Sequence, residues 1–275
     1  MIELPEAITL GQQILEALSG KTITNVFNSN SPHKFTFFYG NPLSYKQLLI
    51  GKKILSAQGY GIFVDIVLED NIRISFSDGV NLRYGNESAQ IPDKYQLLLT
   101  FDNESFLVFT VAMYGGIAAY QGKFDNKYYN KSVESISPLS DKFNMTYFEN
   151  LISKEAKNIS VKALLATEQR IPGVGNGVLQ DILFNALLNP KRKILSLTNE
   201  EKKNLFHAIK ETLRTMTING GRDTENDLYG SKCGYKTLMS KNTCKNPCPK
   251  CGNGIIKENY LGGTIYYCPQ CQPIK

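Results

Sequence analysis

Two cysteine pairs near the C-terminal end restrict what this chain can fold into more than any other feature. Cys248-Pro249-Lys250-Cys251 is followed, after sixteen intervening residues, by Cys268-Pro269-Gln270-Cys271. Each C-x-x-C closes a tight knuckle, and two knuckles present four thiolates to one tetrahedral ion. Between them, residues 255–260 and 264–267 alternate as two strands joined through Leu261-Gly262-Gly263. The spacing predicts a zinc β-ribbon with Cys248, Cys251, Cys268 and Cys271 as ligands of one structural ion. Four protein ligands leave no open coordination position, so such an ion supports the fold and does no chemistry. Disulfide pairing is the competing reading of the same residues. Cys233 and Cys244 match neither knuckle and read as free thiols.

Metal or disulfide is a question of compartment. Met1-Ile2-Glu3-Leu4-Pro5-Glu6 carries acid and no basic stretch, unlike a secretory signal. No apolar run approaches the ~18–20 residues that span a bilayer, so no membrane partner is expected. A cytoplasmic, reducing setting follows, in which clustered thiols bind metal more readily than they oxidise.

The 275 residues have room for one or two domains with a buried interior, and 42% apolar with 20% charged residues excludes a disordered chain. A short N-terminal helix is expected, with Pro5 in its first turn, Ile8, Ile14, Leu15 and Leu18 near helical spacing, and Ser19-Gly20 as its stop. Strand character follows over 22–27, 34–39, 54–58, 62–68, 72–76, 95–101 and 106–112, at the spacing of a sandwich or barrel. Residues 122–139 are polar and read as a linker. Beyond it the period becomes helical. Ser160 and Asn176 are expected as caps, and Thr198 with Glu201 forms a capping box ahead of Leu205, Ile209 and Leu213, ended by Asn219-Gly220-Gly221. The layout is multi-domain α+β: a β domain over 1–121, the linker, a helical domain over 140–232 and a cysteine-bearing tail over 233–275.

The net charge of +6 is unevenly spread. Residues 190–275 hold 15 Lys+Arg against 7 Asp+Glu, a surplus of eight, while 1–189 carry −2. A basic C-terminal third is a footprint of phosphate binding, although a solvated surface with chance clustering gives the same count. Within the helical part, Arg170-Ile171-Pro172-Gly173-Val174-Gly175-Asn176 turns the chain into a new helix. Gly173 and Gly175 permit a sharp turn, and exposed N–H groups at a helix start, with the Asn176 side chain, can hold a phosphate. Taken alone, Gly-x-Gly before a helix is often only a turn.

The start Glu3-Leu4-Pro5-Glu6, the Gly-Val-Gly-Asn turn and the C-x2-C-x16-C-x2-C ribbon, in this order and spacing, resemble the formamidopyrimidine-DNA glycosylase/endonuclease VIII family of base-excision repair enzymes, over essentially the whole length. The resemblance implies an N-terminal β-sandwich, a helix-two-turns-helix domain and a zinc finger that together grip double-stranded DNA carrying a damaged base or abasic site, with the protein acting as a monomer. Asn176 and nearby amides would anchor phosphates flanking a flipped-out nucleotide.

In that family an N-terminal amine, usually of proline, attacks C1′ of the damaged nucleotide, and an adjacent glutamate assists proton transfers at the sugar. Here Ile2 stands at the proline position, Glu3 at the glutamate and Glu6 at a second acid, while a retained Met1 places its amine one residue early. Ile62 falls where the family has a phosphate-binding lysine, and Gly263 where the finger has an arginine. The void-filling positions fall near Asp78 and on Ala112-Met113-Tyr114-Gly115; Met113 and Tyr114 read either as a wedge or as a packed strand end. Two readings follow from these substitutions. One is a DNA glycosylase with an altered active site and a weak or absent strand-cleaving step, in which Glu3 activates water or the Met1 amine. The other is a non-catalytic damaged-DNA binding protein that keeps the clamp, in which Glu3 serves only as a helix N-terminal acid.

Overall fold

The computed structural model describes residues 1–86, 88–155 and 157–274. Helix α1 (Leu4–Leu18) opens the chain, with Glu3 as its N-cap and Pro5 in its first turn. Nine strands follow: β1 (Ile23–Asn28), β2 (Thr36–Tyr39), β3 (Ile54–Tyr60), β4 (Phe63–Leu68), β5 (Ile72–Ser77), β6 (Val80–Gly85), β7 (Leu97–Phe101), β8 (Phe106–Val111) and β9 (Gly115–Gln121), with the short helix α2 (Tyr45–Leu49) between β2 and β3. They build two stacked sheets, one ordered β1-β7-β8-β6 and the other β2-β9-β5-β4-β3. Among the described residues the strand pairings of the sandwich are antiparallel except β2 with β9, where Thr36 faces Gly115 and Phe37 faces Gly116. The inner faces meet in one apolar core, where the rings of Phe76 and Phe109 pack edge to face at 5.5 Å between centroids.

Beyond the sandwich come α3 (Lys127–Glu134), α4 (Met145–Ser153), α5 (Val161–Ala166), α6 (Val178–Asn185) and α7 (Asn199–Ile218), and finally the hairpin β10 (Ile256–Tyr260) and β11 (Gly263–Tyr267). Thr198 and Glu201 form the expected capping box at α7. A second core joins Phe143, Phe148, Leu164, Leu165, Ile171, Val174, Leu205 and Leu213 among others. Helix α1 belongs to both cores: Ala7, Leu10, Ile14 and Leu18 enter the sandwich, and Leu4 enters the helical half. Ile14 and Leu18 are fully buried, each worth about 2 kcal/mol of apolar burial.

Three local expectations change. The stretch 122–139 is not a bare polar linker: it carries α3, and Phe124 and Tyr129 are buried against Phe63 and Tyr120 of the sheet. The Tyr129 hydroxyl donates to buried Asp65 at 2.6 Å, which docks the connection onto the sandwich. Strands β6 and β9 also form where none was expected: in β6 Val80 and Leu82 point inward and alternate with exposed Asn81 and Arg83, a half-buried strand pattern, while Gly115-Gly116 dilute the pattern of β9. Finally, α6 begins at Val178 with Gly177 as N-cap, so Asn176 does not cap it.

Candidate functional site

The cap that Asn176 does not supply comes from 174 residues earlier. The Glu3 carboxylate accepts from the Gly177 N–H at 2.8 Å and the Val178 N–H at 2.7 Å, closing the N-terminus of α6 from another part of the chain. This needs a bare backbone. A Cβ on Gly175 would stand 2.6 Å from a Glu3 oxygen, and one on Gly177 would stand 1.4 Å from the Arg222 guanidinium. The glycines of the turn thus admit an acid and an arginine to the helix end.

Arg222 completes a buried cluster with Glu3 and Glu6, each no more than 3% exposed. Its Nε and Nη2 donate to the two Glu6 oxygens at 3.0 and 2.8 Å, its backbone N–H donates to Glu6 at 2.9 Å, and Nη1 lies 3.6 Å from Glu3. The Glu3 N–H also donates to Glu6, at 3.1 Å. Burial pushes the Glu3 carboxyl above the usual range, and neither Arg222 nor the α6 amides cancel that rise. Burial acts the same way at Glu6, but the charge and hydrogen bonds of Arg222 outweigh it and hold Glu6 low. Two adjacent carboxyls are therefore driven apart, one suited to exchanging a proton and one to staying ionised.

Met1 and Ile2 part company at the mouth of this cluster. Met1 is 41% exposed and its ammonium pairs with Glu225, while Ile2 is 4% exposed and packs in the sandwich core with its N–H donating to the Asp78 carbonyl at 2.9 Å. Ile2 is thus a core residue, and its side chain offers no reactive group. Met1, Glu3, Ile62, Asp78 and Tyr114 form one wall of a cleft of about 250 Å³; Lys162, Gly175, Asn176 and Gly263 form the other. The Tyr114 hydroxyl lies 3.5 Å from the Met1 sulfur. Burial, then neighbouring Asp78, pushes the Tyr114 hydroxyl up to about 12, and burial raises Asp78. Met113 is 67% exposed, so the turn it shares with Tyr114 is not a packed strand end.

The remaining positions divide. Asn176 Nδ2 donates to the Thr264 carbonyl at 2.8 Å and joins the turn to the hairpin, whose Gly263 lies against the Asn176 side chain. Gly173, at φ +78°, accepts at its carbonyl from the Leu4 N–H at 2.9 Å and sits under α1. Arg170 is not a free cation facing the cleft. Its guanidinium is bound by Glu155, by Glu168 at 3.1 Å and by Thr167, which fix the turn internally.

Cys248, Cys251, Cys268 and Cys271 hold their sulfurs within 4.8 Å of one another. The Cys248–Cys271 and Cys251–Cys268 separations of 3.8 and 3.5 Å exclude disulfides. They match the ~3.8 Å edge of a tetrahedron whose metal–sulfur bonds are ~2.3 Å. The four cysteines therefore fit one metal ion. Cys233 and Cys244 stand apart from the cluster.

Three residues of the site carried no sequence signal. Arg222 was hidden behind the Gly220-Gly221 helix stop, and Glu225 lies in the loop that follows. Lys162, on the inward face of α5, is 2% exposed and donates to the carbonyls of Tyr260 and, at 3.4 Å, of Gly263; burial lowers its pKa.

A β-sandwich and a four-cysteine ribbon disposed about helices α4 to α7 define a helix-two-turns-helix protein, and the description "Formamidopyrimidine-DNA glycosylase H2TH domain" matches residues 135–226. A formamidopyrimidine-DNA glycosylase of Legionella pneumophila (strain Paris) is 30% identical over 100% of this chain and 99% of its own length. One from Cytobacillus firmus is 26% identical over 99% of this chain and all of its own length. The MutM (Fpg) protein of Thermus thermophilus superposes with a TM-score of 0.81 at 23% identity, covering 99% of each chain. Lactococcus lactis Fpg, solved with N7-benzyl-Fapy-dG DNA, does so with a TM-score of 0.84 at 20% identity, covering 98% of this chain and 99% of that one. The chain belongs to the formamidopyrimidine-DNA glycosylase family.

Proposed function

We propose that the protein is a base-excision repair DNA glycosylase that cleaves the N-glycosidic bond of a damaged nucleotide drawn out of duplex DNA, with a weak or absent strand-cleaving step. The observation that carries this reading is the meeting of Met1 and Glu3 on one cleft whose facing wall is Asn176 and Gly263. The Asn176 turn and the Gly263 hairpin take the flanking phosphates, and Met113 with Tyr114 enters the space the nucleotide leaves. The four cysteines hold one zinc ion that keeps the hairpin folded. Glu3, raised by burial, gives a proton to the departing base as the C1′–N bond breaks and its electron pair leaves with the base. The new bond at C1′ forms to the Met1 nitrogen, whose ammonium proton passes first to its partner Glu225, or to a water oxygen, whose proton returns to the Glu3 carboxylate.

Burial of Ile2 at the position where relatives carry a nucleophile, together with the Met1–Glu225 pair, favours a second reading, a clamp that binds damaged DNA without cutting it. Borohydride trapping on abasic-site DNA, with parallel assay of base release from formamidopyrimidine-containing duplex, separates these. A trapped adduct lost on blocking the N-terminus identifies the amine; base release without adduct identifies water. If lesion DNA binds and neither product forms, the enzyme reading fails.

A further inference from the structure

One feature of the sandwich has no part in that scheme. On the edge strand β2, Phe37 is 61% exposed, and Phe35, in the turn that leads into the strand, is 47% exposed; the Thr36 N–H donates to the His33 carbonyl at 3.0 Å and closes that turn. The segment continues the parallel ladder with β9, since the Phe35 carbonyl accepts from the Gly115 N–H at 3.0 Å. Phe35 therefore lies one strand spacing, about 5 Å, from the Met113-Tyr114 turn at the cleft. Directly across from Phe37 is Gly116, which has no side chain, and beyond it the Ser77 hydroxyl lies 3.2 Å from where a Gly116 Cβ would stand. A half-open shelf results, with an aromatic ring at one side, bare backbone as floor and a hydroxyl at the far side. Lys34 holds its ammonium 5.4 Å from the centre of the Phe35 ring, and His33 packs edge-on against that ring at 6.2 Å.

We propose that this strip binds unpaired nucleotides of the DNA adjoining the cleft, with bases stacked on Phe35 and Phe37 over Gly116 and a phosphate taken by Lys34. Three observations favour this occupant: two exposed rings, one on an edge strand and one in the turn before it, a cation beside them, and direct continuity with the turn proposed to enter the duplex. Exposed aromatic rings stack unpaired bases because every base has a π face, and the adjacent cation takes the backbone. The inference rests on the DNA-binding reading above but concerns a different surface. It predicts a preference for lesions in bubbles or beside single-stranded gaps over the same lesions in intact duplex.

The test measures binding of the full-length protein to an abasic-site duplex and to the same site within a bubble of unpaired thymines. The parent should bind the bubble more tightly. Phe35→Ala and Phe37→Ala should each weaken bubble binding by about tenfold and leave duplex binding within twofold. Both residues are exposed, so folding is not at stake. Gly116→Val, which fills the shelf and keeps both rings, should abolish the preference, with an unchanged circular dichroism spectrum as its control. Equal loss on both substrates, or none on either, overturns the inference while leaving the glycosylase reading intact. Failure of the parent to bind abasic duplex would instead remove that reading. If the strip joins two copies of the chain, sedimentation will show a dimer that Phe37→Ala dissociates, with DNA binding unchanged, and the inference is likewise overturned.

Discussion

Replacing Arg222 by methionine keeps most of the stem packing and removes the charge that two buried carboxyls share. Arg222 makes three hydrogen bonds to Glu6, one of 3.1 Å to the Met1 carbonyl and an ion pair with Glu3. Removing one partner of a buried charge cluster costs about 3–5 kcal/mol. In a chain of this size each kcal/mol lowers the melting temperature by about 2–4 °C, so the variant should melt about 10 °C below the parent at pH 7.5. Its pH response carries the sharper information. In the parent, Glu6 titrates below its unfolded value, so the stability it contributes is present above that value and is lost as the pH falls through the folded pKa. Without Arg222 both carboxyls are raised by burial, and the folded variant then takes up protons more readily than the unfolded chain. Its stability falls as the pH rises through those raised values and is regained on acidification. The gap between parent and variant should narrow from pH 7.5 to pH 5, read by scanning calorimetry at both. A gap that stays constant or widens, or a variant within 2 °C of the parent at pH 7.5, refutes the argument that the arginine compensates the buried carboxyl cluster.

Other consequences are as direct. Glu3→Gln keeps one acceptor for the α6 amides but has no proton to give, so base release should fall at least a hundredfold while lesion binding changes by less than fivefold; unchanged release removes Glu3 from the chemistry. Asn176→Ala deletes the bond to Thr264 and should weaken binding roughly fivefold for all DNA sequences alike, measured by fluorescence anisotropy. Complete chelation of the metal should unfold the ribbon, seen in the tyrosine near-ultraviolet signal, and lower DNA affinity; full affinity without metal would contradict its role. Asp181, which accepts from the Leu238 and Met239 N–H groups, is pushed up to about 6 by burial. Its contribution is therefore complete below pH ~4 and lost as the pH rises through 6, on the order of 3 kcal/mol. Asp181→Asn should flatten that part of the pH–stability curve, followed by thermal melts between pH 4 and 7.

What could be read from the sequence is what local chemistry determines. The two knuckles, the Thr198 capping box and the stop at Gly220-Gly221 each involve residues within a few positions of one another, and all three form as expected. Strand β9 escaped because its sheet position is set by neighbours on β2 and β5, not by its own glycines and alanines. The contacts within the site could not be read for the same reason on a larger scale. Glu3 finds its α6 partners 174 and 175 residues away, and Glu6 finds Arg222 at a separation of 216. The sequence offered Glu3 as a catalytic glutamate or as an acid at its own helix start, and Asn176 as the cap of α6; in the fold Glu3 caps α1 and also closes α6, and Asn176 is released to the hairpin.

The sharing of α1 between two cores bears on whether the molecule can be divided. A fragment beginning after the sandwich would keep α4 to α7 and the ribbon. It would lack Leu4 from its interior, Glu3 from the start of α6, and both carboxylates from around Arg222. Cutting the chain at 122–139 thus does not yield an independent half, because Glu3, Leu4 and Glu6 find their partners in the part that is made last. During synthesis Glu3 must wait for partners 174 and 175 residues away, and Glu6 for an arginine 216 residues away. Until then neither the cleft nor its acid exists.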